Sequence, residues 1–299
     1  MPELPEVETI RAQLAPRLTG RTITAVEVSD PLLVAPADVE EFRAAVVGRT
    51  VCAVGRRGKY LLLELESGAV LALHLRMTGR LYWRAGEPAD GEERFQRALL
   101  RFDDAATVTF GDVRRFGRAW LIPAGTDAVE YWRGRLGAEP LAGGFTGRRL
   151  AELMRGRRVA IKTALLNQRL VAGLGNMYVD EALFAARVHP LRPAGELSER
   201  EYRALHRAIR ERLTVAIAAG GASIDTYRDG LGQRGRMQGL LRVHLHEGDP
   251  CPRCGTIIAK TVVGQRGTYW CPVCQPDPTG APAPGGSRRP RRVRQEVSG

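Results

Sequence analysis

Two pairs of cysteines near the carboxyl end constrain the fold of this chain more than any other feature. Two residues separate the members of each pair and 16 residues separate the pairs, which are Cys251, Cys254, Cys271 and Cys274. This spacing is typical of a tetrahedral four-cysteine zinc site, in which two tight turns each present two thiolates. Because four protein ligands leave no coordination position open, the sequence predicts one structural Zn²⁺ ion that does not activate water.

The remaining cysteine and the charge of the chain bear on its environment. Cys52 lies in the apolar stretch Val51–Val54 and is predicted to be a small buried residue. The chain has 299 residues, enough for about two domains, and a formal net charge of +12. This charge favours a polyanionic partner, either a nucleic acid or, on charge alone, a membrane surface or a ribosome. No apolar run approaches the ~18 residues of a membrane span, and the acidic amino-terminal segment does not resemble a signal peptide. We therefore expect a cytoplasmic protein with no membrane partner.

Residues 22–123 have the pattern of short strands separated by turns. The predicted strands are Tyr60–Leu65, Val70–Leu75, Leu99–Phe102, Thr107–Phe110 and Arg118–Ile122. Ser67 and Gly68 join the first two of these strands as a hairpin turn. Several short strands at this spacing indicate an antiparallel β-sandwich rather than a parallel sheet.

The apolar period becomes helical from Arg148 onward. Predicted helices cover Lys162–Arg169 and Tyr178–Arg187, and a capping box at Ser198 and Glu201 begins another. A glycine-rich segment then leads to the strand-like stretch Leu240–Leu245. The fold class is therefore α+β, with an N-terminal helix, a β-sandwich and a helical C-terminal domain that carries the zinc finger.

The predicted boundaries follow from these changes of pattern. They are an N-terminal domain at 2–123, an interdomain linker at 124–147, a helical domain at 148–242, a zinc finger at 243–275 and a disordered basic tail at 276–299. The tail has no periodicity and combines Pro, Gly and Ser with five arginines.

The first nine residues, Met-Pro-Glu-Leu-Pro-Glu-Val-Glu-Thr, contain candidate catalytic groups. Removal of Met1 would leave Pro2 with a free secondary amine, which can add to a sugar aldehyde carbon and form an iminium. Pro5 suits the first turn of a helix, whose positive end would favour the neutral, nucleophilic amine. Glu3 and Glu6 supply carboxylates for proton transfer. An ordinary N-terminal helix with surface glutamates is an equally good interpretation of these residues alone.

The same nine residues are similar to the opening of the bacterial formamidopyrimidine-DNA glycosylases, base-excision enzymes that remove oxidised purines. The segment Gly173-Leu-Gly-Asn176, followed by Met-Tyr-Val-Asp-Glu-Ala-Leu-Phe, resembles the helix–two-turn–helix of that family, and the cysteines resemble its zinc finger. The resemblance covers residues 1–275 or so. It implies damaged double-stranded DNA as the partner, no small-molecule cofactor and a monomeric enzyme associated with the nucleoid.

Family resemblance also implies roles for individual residues. Pro2 would be the nucleophile, Glu3 would shuttle a proton and Glu6 would support the site. Lys59 and Arg266 would assist strand cleavage. The implied DNA contacts are His74, Met77, Arg97, Arg114, Phe116, Arg157 and Asn176. Without the resemblance, Lys59 is most simply a solvated charge, and Met77 and Phe116 are most simply core residues.

A loop at 222–239 corresponds to the segment that encloses the extruded purine in this family. Its implied contact residues are Ile224, Asp225, Thr226 and Tyr227. Two positions depart from the family pattern, since His244 replaces a usual tyrosine and Arg97 replaces a usual histidine.

The predicted function is a bifunctional glycosylase and abasic-site lyase that acts on 8-oxoguanine opposite cytosine and on formamidopyrimidines. It would act through a Schiff base on Pro2, followed by β- and δ-elimination. One alternative is an oxidised-pyrimidine glycosylase of the endonuclease VIII type, which usually has Gly where this chain has Leu4. The other is a zinc-stabilised DNA-binding protein without catalysis.

Overall fold

Strands dominate the first half of the chain and helices the second, in a computed structural model that describes residues 1–88 and 93–277. The helices are α1 (Leu4–Leu18), α2 (Val39–Val46), α3 (Ala128–Trp132), α4 (Gly147–Met154), α5 (Ile161–Leu166), α6 (Asn176–Ala186) and α7 (Glu199–Ala218). The strands are β1 (Ile23–Val28), β2 (Val51–Arg57), β3 (Tyr60–Leu65), β4 (Val70–His74), β5 (Gly79–Arg84), β6 (Gln96–Phe102), β7 (Thr107–Asp112), β8 (Arg118–Ile122), β9 (Ala259–Val263) and β10 (Arg266–Trp270). The α+β prediction is confirmed. None of the helices in the described residues is long and apolar enough to cross a bilayer.

Two four-stranded antiparallel sheets form the predicted sandwich. Their strand orders are β1-β6-β7-β5 and β2-β3-β4-β8. Inward-facing residues alternate along the strands, as Leu61, Leu63 and Leu65 do in β3, because successive side chains of a strand point to opposite faces. The strands β3 and β8 have the predicted bounds, whereas β6 begins three residues earlier than predicted and β7 ends two residues later.

In the helical half, α4 and α6 pack against the long helix α7, and α5 packs against α6. Its core includes Leu150, Tyr178 and Leu205. The capping box at Ser198 and Glu201 is present, with each side chain bonded to the other residue's backbone N–H.

Helix α1 joins the two halves because its side chains enter both cores. Leu4 belongs to the core of the helical half, whereas Val7, Ile10 and Leu14 belong to the core of the sandwich. The N–H of Leu4 also donates to the carbonyl of Gly173 over 3.0 Å. The first turn of α1 is therefore fixed from both sides.

The zinc module is a two-stranded hairpin, β9-β10, with the cysteine pairs on either side of it. Gly264 and Gln265 both have positive φ, as a tight two-residue hairpin turn requires. Phe184 of α6 packs with Val243 and Ile258 in the small core of the module. The hairpin is thereby held against α6.

The predicted burial of Cys52 is wrong, since its side chain is exposed. The pairing of β2 with β3 shifts register between Val51 and Ala53. This irregularity leaves Val51 and Val54 facing the core and turns Cys52 outward.

The strand-like pattern of Leu240–Leu245 is also misleading, because the segment forms a 3-10 turn at Met237–Leu240 and then a loop. Its backbone N–H groups at Arg242, Val243 and His244 all donate to the buried carboxylate of Glu181. A single side chain thus replaces the neighbouring strand that the segment would otherwise need.

The predicted linker at 124–147 contains helix α3 and carries Glu139 against the sandwich. The Glu139 carboxylate lies 2.8 Å from Arg57 Nη1 and 3.1 Å from Arg56 Nη2, and it accepts the N–H of Gly58. The predicted disordered tail from 278 onward lies outside the described residues.

Candidate active site

A cavity of about 570 Å³ opens between the sandwich and the helical half. It brings together residues from the two ends and the middle of the chain. Of the predicted site residues, it is lined by Pro2, Glu3, Glu6, Lys59, His74, Met77, Asn176, Ile224, Asp225, Thr226, Tyr227 and Arg266. We call Pro2, Glu3, Glu6 and Lys59 the cavity floor.

Pro2 is buried at the start of the chain, while Met1 beside it is 43% exposed. Glu3 is the N-cap residue of α1, and Pro5 lies in the first turn, as predicted from its missing N–H. The N–H of Glu3 donates to Glu6 Oε2 over 2.8 Å. This capping box places both carboxylates beside Pro2.

Glu3 faces the cavity with part of its carboxylate unpaired. Its Oε1 accepts the N–H of Met177, at the start of α6, over 3.1 Å. Its Oε2 is buried and has no hydrogen-bond partner within the described ranges. A buried acceptor without a partner is costly, so this oxygen is available for a proton or a ligand donor in the cavity.

Glu6 is held by a complete set of donors. Its Oε1 accepts from the Tyr178 hydroxyl over 2.6 Å and from the N–H of Ala222 over 2.9 Å. Burial raises the pKa of Glu6, the negative charge of Glu3 raises it further, and the bond from Tyr178 partly opposes both effects. Glu6 is therefore a fixed carboxyl group that protonates more readily than an exposed glutamate.

The glycines before α6 make room for the N-terminus. A Cβ at Gly175 would lie 2.2 Å from Glu3 Cδ, and one at Gly173 would lie 2.8 Å from Leu4 Cβ. Gly173 also has a φ of +87°. The Gly-x-Gly pattern is thus explained here by close packing of the chain against itself, which the sequence did not reveal.

Lys59 lies in the β2–β3 turn, directly before Tyr60, and is buried. Gly58, in the turn, has a φ of +56°, and a Cβ there would lie 3.3 Å from Ala172 Cβ, so the turn packs closely against the helical half. Burial lowers the pKa of Lys59, the carboxylates Glu3 and Glu6 partly oppose this, and Arg266 adds to the lowering. A neutral amine is consequently more accessible at Lys59 than at a surface lysine.

His74 ends β4 and lies in the cavity wall as a neutral imidazole. Its Nδ1 accepts the N–H of Arg76 over 3.0 Å, which leaves Nε2 as the protonated nitrogen. Burial, with smaller contributions from Arg76 and Lys59, lowers the pKa of His74 to about 3. His74 can therefore donate a hydrogen bond to an anion without being a cation.

Arg266 and Asn176 meet at the zinc hairpin. Arg266 is exposed at the first position of β10, and the next residue, Gly267, accepts at its carbonyl from Asn176 Nδ2 over 2.9 Å. The same carbonyl accepts from Lys162 Nζ over 3.1 Å. The predicted phosphate contact Asn176 thus uses its amide nitrogen to hold the hairpin that presents Arg266.

Lys162 was missed by sequence reasoning, although it is fully buried beneath this hairpin. Its Nζ lies 2.6 Å from Asp180 Oδ1, and Asp180 Oδ2 lies 2.8 Å from His244 Nδ1. Its partners, Asp180 and the carbonyl of Gly267, are both distant in sequence. No local pattern therefore distinguishes Lys162 from a surface lysine of a helix.

The cavity-lining residues of the loop 222–239 differ in how deeply they are buried. Ile224 and Asp225 are exposed at its edge and Thr226 is half-buried. Tyr227 is instead anchored in the sandwich core, and its hydroxyl donates to the carbonyl of Gly220 over 3.2 Å. The loop therefore has a fixed base and an accessible tip.

Three predicted contacts form what we call the rim: Met77, Arg114 and Phe116. Met77 is 37% exposed and Phe116 is 45% exposed, so neither is a core residue. The Arg114 guanidinium stacks over the Phe116 ring at 4.7 Å from its centroid.

Four predicted contacts are not among the described residues that line the cavity: Arg97, Arg114, Phe116 and Arg157. Arg97 Nε donates to the carbonyl of Asp112 over 2.8 Å and lies 3.8 Å from Asp30. Arg157 is exposed in the turn after α4, and its Nε donates to the carbonyl of Leu153 over 2.8 Å.

The four predicted cysteine ligands converge, with all their Sγ atoms within 4.8 Å of one another. Cys251 and Cys274 are 3.9 Å apart and Cys254 and Cys271 are 3.5 Å apart at sulfur. Zn–S bonds of ~2.3 Å in a tetrahedron give S–S separations of about 3.8 Å, so the cluster fits one zinc ion.

The geometry agrees with comparisons to known proteins. Residues 1–119 match the formamidopyrimidine-DNA glycosylase N-terminal domain, residues 136–228 match the H2TH domain of the same enzymes, and residues 248–276 match the zinc finger found in FPG and IleRS. A formamidopyrimidine-DNA glycosylase of Pelotomaculum thermopropionicum is 46% identical over 277 residues, which cover 92% of this chain and 99% of the relative. The chain belongs to the formamidopyrimidine-DNA glycosylase family.

Other relatives and solved structures within this family agree. The formamidopyrimidine-DNA glycosylase of Roseiflexus sp. is 47% identical over 278 residues, covering 92% of this chain and all of the relative. The Lactococcus lactis Fpg in complex with an abasic site containing DNA superposes with a TM-score of 0.85 at 38% identity. A complex of a mutant of the same enzyme with a Fapy-dG containing DNA gives the same values, and each covers 92% of this chain and 100% of the solved one.

Proposed function

We propose that this protein is a base-excision DNA glycosylase and abasic-site lyase that removes oxidised purines, including 8-oxoguanine opposite cytosine and formamidopyrimidines. The observation that carries the proposal is the cavity floor, where Pro2, two buried carboxyl groups and Lys59 converge on one cavity. The names of the relatives and the DNA complexes of the structural neighbours support this reaction class.

The first step uses the amine of Pro2 after removal of Met1. The nitrogen lone pair attacks C1′ of the damaged nucleotide as the glycosidic bond breaks. The base leaves with the bonding electrons and takes up the proton that the Pro2 nitrogen loses. Glu3 supplies a proton to the ring oxygen of the sugar, which opens and leaves an iminium between Pro2 and C1′. Its buried Oε2, which has no hydrogen-bond partner among the described residues, is in keeping with this role.

The later steps cut the strand. The iminium acidifies the proton on C2′, whose removal expels the 3′ phosphate by β-elimination; a second elimination expels the 5′ phosphate. Lys59 is suited to accept a proton in these steps because burial lowers its pKa. Arg266 would neutralise the departing phosphates. Glu6 accepts the N–H of Glu3 and would support the position of that residue.

We also assign the DNA contacts from this arrangement. A target nucleotide must leave the duplex before its C1′ can be reached. Met77 and Phe116 at the rim would fill the resulting gap, and Arg114 would bond to the opposite cytosine. Ile224 to Tyr227 would enclose the extruded purine.

Phosphate binding is assigned to a separate set of donors. Of these donors, His74, Asn176 and Arg266 line the cavity, whereas Arg97 and Arg157 do not. The charge of +12 adds a salt-sensitive attraction for DNA. We propose a monomer that works in the cytoplasm on nucleoid DNA, with one structural zinc ion and no small-molecule cofactor.

Strand-cutting assays test the proposal. Duplexes would carry 8-oxoguanine opposite each of the four bases, a formamidopyrimidine, or an oxidised pyrimidine. We expect rapid cutting at 8-oxoguanine opposite cytosine and at the formamidopyrimidine. Preferential cutting at the oxidised pyrimidine would indicate the endonuclease VIII type instead, and binding without cutting would indicate a non-catalytic DNA-binding protein.

The structural role of the zinc site is tested separately by Cys271→Ser. Loss of one ligand should release the hairpin that carries Arg266 and weaken DNA binding by at least about tenfold, while the N-terminal sandwich stays folded. Near-UV circular dichroism and gel-shift titration measure the two effects. DNA binding at wild-type strength without metal would contradict this role.

A further inference from the structure

We propose that Asp112 is a positioning residue. It holds the two turns that carry the rim residues in a fixed position relative to each other and thereby sets the preference for the base opposite the lesion. The inference rests on the proposed function, because it concerns how the rim residues Met77, Arg114 and Phe116 reach DNA. Asp112 itself is buried at the end of β7 and does not line the cavity described above.

The Asp112 carboxylate binds the turn that carries Arg114 and Phe116 at two points. Its Oδ1 accepts the N–H of Arg114 over 3.1 Å, and its Oδ2 accepts the N–H of Gly117 over 2.7 Å. These bonds close the turn at both ends. A Cβ at Gly117 would lie 2.6 Å from the Phe110 ring and 3.1 Å from Asp112 Oδ2, so the turn fits tightly on the carboxylate.

The same carboxylate binds the turn that carries Met77. Its Oδ1 accepts the hydroxyl of Thr78, which follows Met77 directly. The Thr78 hydroxyl oxygen in turn accepts the N–H of Arg114 over 3.3 Å. Asp112 and Thr78 therefore join two turns that are separated in sequence by the three strands β5, β6 and β7.

An ion pair with Asp30 also supports the turn that carries Arg114 and Phe116. Arg115 has a φ of +60° and forms a bidentate pair with the buried Asp30, at 2.7 and 2.8 Å. Arg97 donates to the carbonyl of Asp112 and lies near Asp30. Arg97 thus belongs to this support in the DNA-free protein.

These anchors matter because the rim side chains have little packing of their own. Met77, Arg114 and Phe116 are exposed, so their positions depend on the backbone of the two turns. Reading a base edge through a bidentate guanidinium needs donors in a fixed position. A carboxylate that binds both turns fixes the backbone at Arg114 and also keeps Met77 in a fixed position relative to Arg114.

The test compares Asp112→Asn and Thr78→Val with wild type. Asp112→Asn replaces one acceptor oxygen by a donor, and Thr78→Val removes only the link between the turns. Asp104→Asn is the matched control, because Asp104 accepts a turn N–H at the opposite end of β7. Excision is measured opposite cytosine and opposite adenine. Rim insertion is measured by the fluorescence of 2-aminopurine opposite a tetrahydrofuran site, which needs no catalysis.

We expect Asp112→Asn to reduce the cytosine-to-adenine excision ratio roughly tenfold and to remove most of the fluorescence change. Thr78→Val should do the same to a smaller extent, and Asp104→Asn should match wild type. Wild-type fluorescence and an unchanged ratio in both test variants would overturn the inference, as would an equal loss in Asp104→Asn. Absence of excision by wild type would refute the proposed function alone, since the fluorescence comparison still decides whether Asp112 positions the rim.

Discussion

The residues of the cavity floor and those of the rim are held in place in different ways. In the floor, Glu6 and Lys59 are buried, and burial is the main cause of both their pKa shifts. At the rim, Met77 and Phe116 are 37% and 45% exposed and are held mainly through their backbone. The groups that we propose to transfer protons are thus kept from water, whereas the groups that we propose to enter DNA are left accessible.

This difference predicts that floor variants impair chemistry and rim variants impair recognition. The largest effect is expected for Glu3→Gln, which keeps the shape of the side chain but cannot carry the proton. Excision should fall by about 10²–10⁴-fold, the usual contribution of a positioned acid–base group. Single-turnover kinetics measure the loss, and titration of tetrahydrofuran-containing DNA should show unchanged affinity.

Glu41→Gln is the control for this change, because Glu41 is exposed on α2, away from the cavity. It should excise at the wild-type rate. Wild-type excision by Glu3→Gln would show that the floor does not use this carboxylate for proton transfer.

A steric change in the floor should have the next largest effect. Gly175→Ala places a methyl group only 2.2 Å from Glu3 Cδ. Forcing the two apart should cost about 1–3 kcal/mol of stability and slow excision, as measured by urea unfolding and single-turnover assays. Gly143→Ala is the control, since nothing lies within 4 Å of its Cβ position. Equal behaviour of the two variants would mean that Gly175 is not needed for close packing.

The neutral His74 predicts a specific pH dependence of stability. Its pKa is lowered to about 3 in the folded protein, whereas an unfolded histidine titrates near ~6.5. Between these values the unfolded state binds the extra proton, so stability falls as the pH decreases from 6.5. From pH 6.5 to pH 5 the loss due to this one group should be about 1.6 kcal/mol.

Urea unfolding of wild type and His74→Gln across this range isolates the contribution. The variant should lose less stability than wild type as the pH falls. Identical pH profiles would show that His74 protonates equally in both states.

The smallest stability effect is expected at the rim. Phe116→Ala should change the free energy of unfolding by less than about 0.5 kcal/mol, as is usual for exposed positions. Binding of lesion DNA should nevertheless weaken, whereas Val129→Ala, at a residue that is 70% exposed on α3, should alter neither property. A large loss of stability in Phe116→Ala would place the ring in the core and remove the contrast between floor and rim.

Much of the floor was predictable because its residues lie in short, recognisable segments. Pro2 and the N-cap residue Glu3 come directly before α1, and Glu6 lies in its first turn. The cysteine spacing specifies the zinc module by itself. The sandwich was predictable from strand patterning, which depends on neighbouring residues.

Features that depend on distant contacts were not predictable. Tyr178 bonds to Glu6 across 172 positions, and Glu139 meets Arg57 across 82. The glycines before α6 have ordinary sequence surroundings, yet they are required by the N-terminus that packs on them. Arg97 shows the same limit, since its sequence position does not reveal that Asp30 and the carbonyl of Asp112 are its neighbours.

The central claim is that the free amine of Pro2 attacks the sugar. The most direct measurement is borohydride reduction during reaction with an 8-oxoguanine duplex, followed by digestion and mass spectrometry of the protein–DNA adduct. The account predicts a stable adduct on the N-terminal peptide, with Met1 absent and the sugar attached to the Pro2 nitrogen. Full cutting activity by protein that retains Met1, or an adduct on Lys59 instead, would contradict it.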